Sequence, residues 1–224
     1  MERLLDAAYG QVINGFGVFT PADRLAEEYL SQNQGDARRA AADLIGWQMT
    51  KAATSGFLTN LGGIATLSMA IPANISSVIY LQLRMVAAIA IMAGYDVRSD
   101  KVRTLINVTL LGSAAAEVLK EAGIKIGQRV TSAAIMQLTG SVARRMTSSA
   151  AARLMARLGL AQASNLARLV PVAGGLIAGA TDAVATEAIG QVAVQVFLPV
   201  TTEDPIELVA TPAGRAGSKE VDAA

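Results

Sequence analysis

One cation stands out among the residues that could do chemistry in this chain. Between Lys51 and Arg84 there is no Asp, Glu, Lys or Arg, and after Arg84 none until Asp96. A guanidinium inside so long an apolar run is costly to bury without a partner. Asp182, set in a second apolar run, is the expected partner, and such a pair would fix the register of two buried helices. Glu117 and Glu121, four apart on one helix face, have the spacing of paired carboxylates or weak metal ligands. Lys120 adjoins them, and a solvated face is the simpler reading. Asp96, Arg98 and Asp100 form a polar cluster behind Gly94 and Tyr95, which turn and N-cap chemistry accounts for. Ser76 and Ser77 have no histidine base, and no glycine-rich stretch is followed by the Gly-Lys-Ser/Thr of a phosphate loop.

Missing residue types narrow the chemistry further. The chain has no cysteine and no histidine. That excludes disulfides, thiol nucleophiles and Ser-His-Asp triads, and it leaves nearly all zinc and haem sites without ligands. No catalytic residue, metal or cofactor is expected. An enzyme is the less favoured reading; it would need Arg84 with two acids around a wet pocket.

The elements that must position these residues read as helices. Of the 224 residues 52% are hydrophobic and 17% charged, against about a quarter charged in an ordinary soluble domain. Alanine and leucine dominate the excess, and no alternating β-branched runs occur. Leu4, Leu5, Ala8 and Val12 predict a helix over 2–14, broken by Gly15 and Gly17. Thr20 reads as an N-cap and Pro21 as the first residue of a helix that ends in the polar turn at 31–35. Asp36 caps the next helix, on which Trp47 is expected as a core anchor. Gly56, Gly62 and Gly63 punctuate the run that follows. Pro72 opens a helix over 72–93 that carries Asn74 and Gln82 into the bundle and closes at Gly94. Its length of roughly 33 Å would cross a bilayer core.

Ser99 and Asp100 start a helix over 100–121 with a core stripe of Val102, Leu105, Ile106, Thr109, Leu110 and Ala114. Helices over 128–139 and 141–158 follow, with Gly140 between them. The last, over 171–197, starts at Pro171 and has Gly175 and Gly179 as a small-residue packing face. The expectation is an all-α fold, a single multi-helix bundle with two long apolar central helices at 72–93 and 171–197. The domain spans 1–200, and the tail 201–224 lacks periodicity and is expected to be disordered.

Charge is uneven although the net charge is only +1. From Gly123 to Thr181 there is no acid, while Lys125, Arg129, Arg144, Arg145, Arg153, Arg157 and Arg168 all fall there. Solvated helix faces are the plain reading. The sharper one makes Arg144, Arg145, Arg153 and Arg157 contacts to anionic lipid headgroups. Nucleic acid is not an expected partner, because no aromatic residues interleave with these arginines. The start, MERLLDAAYG, lacks the basic lead and apolar core of a secretory signal, so a cytoplasmic location is the default expectation.

Residues 55–96 (SGFLTNLGGIATLSMAIPANISSVIYLQLRMVAAIAIMAGYD), 102–128 and 169–193 resemble the EcsC protein family, with IPAN, LQLRM and GYD in the expected order. The resemblance implies an all-helical bacterial protein, often membrane-associated and sometimes encoded beside an ABC-type exporter. It carries no catalytic residues. Pro72, Asn74, Arg84, Gly94, Tyr95, Asp96 and Asp182 match its signature, and Asn60 stands where a glycine is commoner. The function expected on all of this is a non-enzymatic accessory protein at the inner face of the cell membrane. Its partners would be membrane lipids or a membrane protein, and homo-oligomers remain open. The alternative is a soluble helical carrier, since few aromatics and many small residues could leave a cavity for a lipid or other apolar ligand.

Overall fold

The computed structural model describes residues 2–15, 19–60, 77–125, 127, 135, 138–163 and 171–198. Leu5, Ala8, Tyr9 and Val12 are all buried, so α1 (Glu2–Asn14) turns one continuous face inward. Gly15 ends it at φ +79°, and a Cβ there would stand 2.9 Å from the Pro21 ring. In α2 (Ala22–Gln32) the buried stripe is Ala22, Leu25, Ala26 and Tyr29. Its cap position is taken by Pro21, one residue later than the sequence implies, and no side chain caps it. Both oxygens of Thr20 are engaged elsewhere, as described below.

Asp36 does cap α3 (Ala37–Asn60): its Oδ1 accepts the N–H groups of Arg38 and Arg39 at 2.9 and 3.0 Å. Those bonds, the one from Arg39 foremost, hold its carboxyl below the usual range. Gly56 lies inside this helix and does not interrupt it. Trp47 is not the core anchor expected, for the residue is 51% exposed. The buried stripe of α3 runs through Ala40, Ala41, Leu44, Ile45 and Gln48, and at about 3.6 residues per turn position 47 falls a quarter-turn to one side.

Every residue of α4 (Ser77–Met92) from Val78 to Ala90 is buried. Gly94 ends it at φ +82°, with Tyr95 N–H on the Ala90 carbonyl and Gly94 N–H on that of Ile91, which satisfies the last carbonyls as a left-handed glycine cap does. Residues 61–76, which include Gly62, Gly63, Pro72 and Asn74, lie outside the described residues.

The helix expected over 100–121 is two, α5 (Asp100–Thr109) and α6 (Ala115–Glu121), joined by a 3-10 turn at Gly112–Ala114. Gly112 has φ +59°, and its backbone lies against Ile189, so the break sits where another helix passes close. The stripe Val102, Leu105, Ile106, Thr109 and Leu110 is buried as expected, but beyond the break Ala114 faces solvent. Then come α7 (Gly140–Ala163) and α8 (Pro171–Phe197). Most of the helix expected at 128–139, and the tail at 201–224, lie outside the described residues.

The fold is thus an all-α bundle with no strand element among the described residues. The two apolar helices α4 and α8 do meet, but the most extensive packing of α8 is along α3. Gly190 explains how the two approach so closely. A Cβ built there would lie 2.6 Å from Ile45 Cγ1, 2.8 Å from Cδ1 and 3.0 Å from Cγ2. Gly190→Ala is therefore expected to destabilise by about 1–3 kcal/mol, despite alanine's better helix propensity. Ile45→Ala in the same chain should recover part of that loss, a coupling that a double-mutant cycle in urea measures directly.

α1 is fastened to the segment after α4 by Tyr9, whose hydroxyl donates to the Val97 carbonyl at 2.7 Å. Arg103 covers the same ring at 5.1 Å and pairs with Asp6. Burial pushes the Tyr9 phenol well above its ordinary value, opposed by Arg103 and assisted by Asp96. The unfolded phenol loses its proton near about pH 10, the folded one only at higher pH. Its contribution is complete below about pH 10 and is lost as pH rises beyond that. Tyr9→Phe should cost about 1 kcal/mol near neutrality and show a shallower alkaline loss. Tyr29, Tyr80 and Lys51 are common to both proteins, so chemical denaturation at neutral and strongly alkaline pH isolates Tyr9.

Candidate functional site

Arg84 is only 4% exposed, and its partner is not Asp182. Its Nε donates to the Thr20 carbonyl at 2.9 Å and its Nη2 to Thr20 Oγ1 at 2.6 Å. The reason is helical geometry. Gln82 faces α8, where its Nε2 donates to Thr186 Oγ1 at 2.9 Å, and Thr186 in turn donates to the Asp182 carbonyl at 2.7 Å. Two residues on, at about 100° per residue, Arg84 points to the opposite side of α4. That side meets α2 and the Phe19-Thr20 segment leading into it.

Around the guanidinium stand aromatic rings and one carboxylate. Its carbon lies 5.9 Å from the centroid of Phe19, whose ring packs 5.2 Å from Tyr80, one turn before Arg84 on the same face. Desolvation lowers the Arg84 pKa, and nearby Tyr80, Glu28 and Tyr29 oppose that shift. Burial raises Tyr80 and Tyr29 above their ordinary phenol values. Lys51 of α3 is lowered, first by desolvation and then by the like charge of Arg84, with Glu28 opposing. Its ammonium lies 5.2 Å over the exposed Trp47 ring. Arg84 makes no ion pair with a carboxylate among the described residues, and Glu28 is solvent-exposed.

Donors dominate this arrangement. Arg84 and Tyr80 of α4, Tyr29 of α2 and Lys51 of α3 all lie on helices that pack on one another, and no Asp or Glu is buried among the described residues. Among the described residues no group of three or more His, Asp or Glu side chains is placed to hold a metal.

The other expected residues do not gather here. Half-buried Tyr95 sets its ring edge-on to Phe197 at 5.3 Å and so joins the end of α4 to the end of α8. Asp96 is exposed and accepts the Arg98 N–H at 2.9 Å, which is turn chemistry. Glu117 and Glu121 are solvent-facing. Arg144 and Arg145 are exposed on α7, while the side chains of Arg153 and Arg157 and the surroundings of Gly175 and Gly179 lie outside what is described. Thr20 and Phe19 were not legible as contacts of Arg84, nor Tyr80, Glu28 and Lys51 as groups whose charge or burial bears on it. Only the four-residue spacings of Tyr80 to Arg84 and Trp47 to Lys51 hinted at them.

With this geometry in view, the chain's relationships are plain. The model of the EcsC protein family matches residues 22–198, and the chain belongs to that family. No curated protein and no solved structure gives a significant match.

If Thr20 anchors the buried charge, Thr20→Val should cost about 1–2 kcal/mol in urea denaturation, since it removes one of two charge-assisted bonds and leaves the carbonyl. Unchanged stability would show that the hydroxyl contributes nothing to holding Arg84.

Proposed function

We propose that the protein is a non-enzymatic accessory that binds peripherally to the cytoplasmic face of a membrane through the outer side of α7. One observation carries the reading: Arg144 and Arg145 are exposed on that helix, within a stretch of the chain that has no acid from Gly123 to Thr181. Ser141, Ser148 and Ala152 share the exposed side, while Met146 and Ala150 are buried beneath it. Among the described residues the exposed side thus offers charge without large apolar groups, which favours attraction to anionic headgroups over insertion. Among the described residues no helix is long and apolar enough to cross a membrane. Family membership supports the same setting, and a membrane protein such as an ABC-type exporter would be a partner at that surface.

A soluble carrier is the second reading, and Gln48 is the observation that favours it. It is fully buried, and neither its amide oxygen nor its amide nitrogen has a hydrogen-bond partner. A ligand's polar end would find both a donor and an acceptor there.

Vesicle co-sedimentation separates the two. On the membrane reading the protein pellets with phosphatidylglycerol-containing vesicles but not with phosphatidylcholine alone, and salt weakens binding. Reversing both charges, Arg144→Glu with Arg145→Glu, should remove at least about 1 kcal/mol per site, roughly fivefold each. Full retention by the reversed protein would defeat the proposal. A supernatant protein carrying extracted lipid would establish the carrier.

A further inference from the structure

Arg84 is a buried cation whose hydrogen bonds all go to neutral oxygens. A guanidinium has five N–H donors. Two are given to Thr20, and no bond from the other three is present among the described residues. One turn earlier on the same face, Tyr80 is wholly buried, and its hydroxyl has no hydrogen-bond partner. Lys51 of α3, a helix packed on both α2 and α4, is half-buried, feels the charge of Arg84, and is in no ion pair with a carboxylate among the described residues. Glu28 acts on both cations only through its field and from the solvent side. A buried charge in such surroundings is costly unless something neutralises it.

We propose that the junction of α2, α3 and α4 is a binding site for a phosphate-type oxyanion, with Arg84 and Lys51 as its cations and the Tyr80 hydroxyl as a further donor. The guanidinium fork and the phenol lie one turn apart on α4, and the Lys51 ammonium stands on the neighbouring α3. An anion with three free oxygens can accept from all of them at once, which a carboxylate with two cannot do as well. Thr20, which holds the guanidinium, is itself exposed, so the surface lies next to the buried donors. The oxyanion can be a free phosphate compound or the phosphomonoester of a lipid headgroup; the chemistry of capture is the same. This site is independent of the α7 face, because α7 packs chiefly on α5, α6 and α1.

The chain carries its own probe. Trp47 is its one tryptophan, and the Lys51 ammonium lies 5.2 Å from its ring centroid. The full chain, with Arg144→Glu and Arg145→Glu introduced to silence α7, is titrated with inorganic phosphate against chloride at equal ionic strength. It is titrated separately with phosphatidylcholine vesicles containing phosphatidic acid. Tryptophan emission and thermal stability are read in parallel, the second because it does not depend on Trp47. The expected result is a saturable emission change with a rise in Tm, weakened about tenfold or more by Lys51→Ala. Arg84→Gln should abolish it and Arg84→Lys should restore part of it. If Arg84→Gln fails to fold by circular dichroism, Lys51→Glu takes its place. A response to inorganic phosphate identifies a soluble ligand, and a response to vesicles alone identifies a headgroup. No saturable response to either, or an undiminished response in the Lys51 variants, overturns the proposal.

Discussion

Arg84 has to be accommodated by a helix that offers it nothing. Along α4 every side chain from Val78 to Ala90 is buried, so the guanidinium cannot reach bulk water as a surface arginine would. It is satisfied instead by the residue that precedes α2, through the carbonyl and hydroxyl of Thr20. That contact draws the Phe19-Thr20 segment over α4, where the Phe19 ring packs tilted against Tyr80. The Thr20 hydroxyl, turned to the guanidinium, makes no cap to α2, whose cap position falls on Pro21. The loss of one cap, worth about 1 kcal/mol, is offset by charge-assisted bonds to a buried group, which are stronger.

The opposite side of α4 is organised by smaller means. Gln82 reaches Thr186 on α8, and Thr186 returns its proton to its own helix at the Asp182 carbonyl. The amide donor thus finds an acceptor without importing a charge. α8 then lies close along α3 because Gly190 leaves room for Ile45, and it passes the 3-10 turn because Gly112 can adopt a positive φ. These two glycines differ in what they supply: the first supplies space, the second a backbone conformation that side chains resist.

The surface follows a different logic. α7 buries Met146 and Ala150 and leaves Arg144 and Arg145 in solvent, so its outward charge is not consumed by the fold. At the α2–α3–α4 junction, by contrast, positive charge is partly desolvated and its neighbours are aromatic. The exposed charge of α7 and the half-buried charge at the junction thus lie in different parts of the molecule.

Much of the fold was legible in the residue order, and the reasons are local. The faces of α1, α2 and α5, the Asp36 cap and the Gly94 stop each depend on side chains within a turn or two of one another, so spacing alone determines them. The family signature and the acid-free basic stretch are likewise properties of order. What the tertiary structure decided is every relation between distant segments. It gave Arg84 to Thr20 rather than to Asp182, because the orientation of Gln82 toward α8 turns Arg84 the other way. It exposed Trp47, because the α3 stripe facing α8 passes to one side of it. It divided 100–121 at Gly112, where α8 crosses. Composition states that a charge must be buried; only the packing of helices determines which oxygen meets it, since one residue of rotation moves a side chain by about 100°.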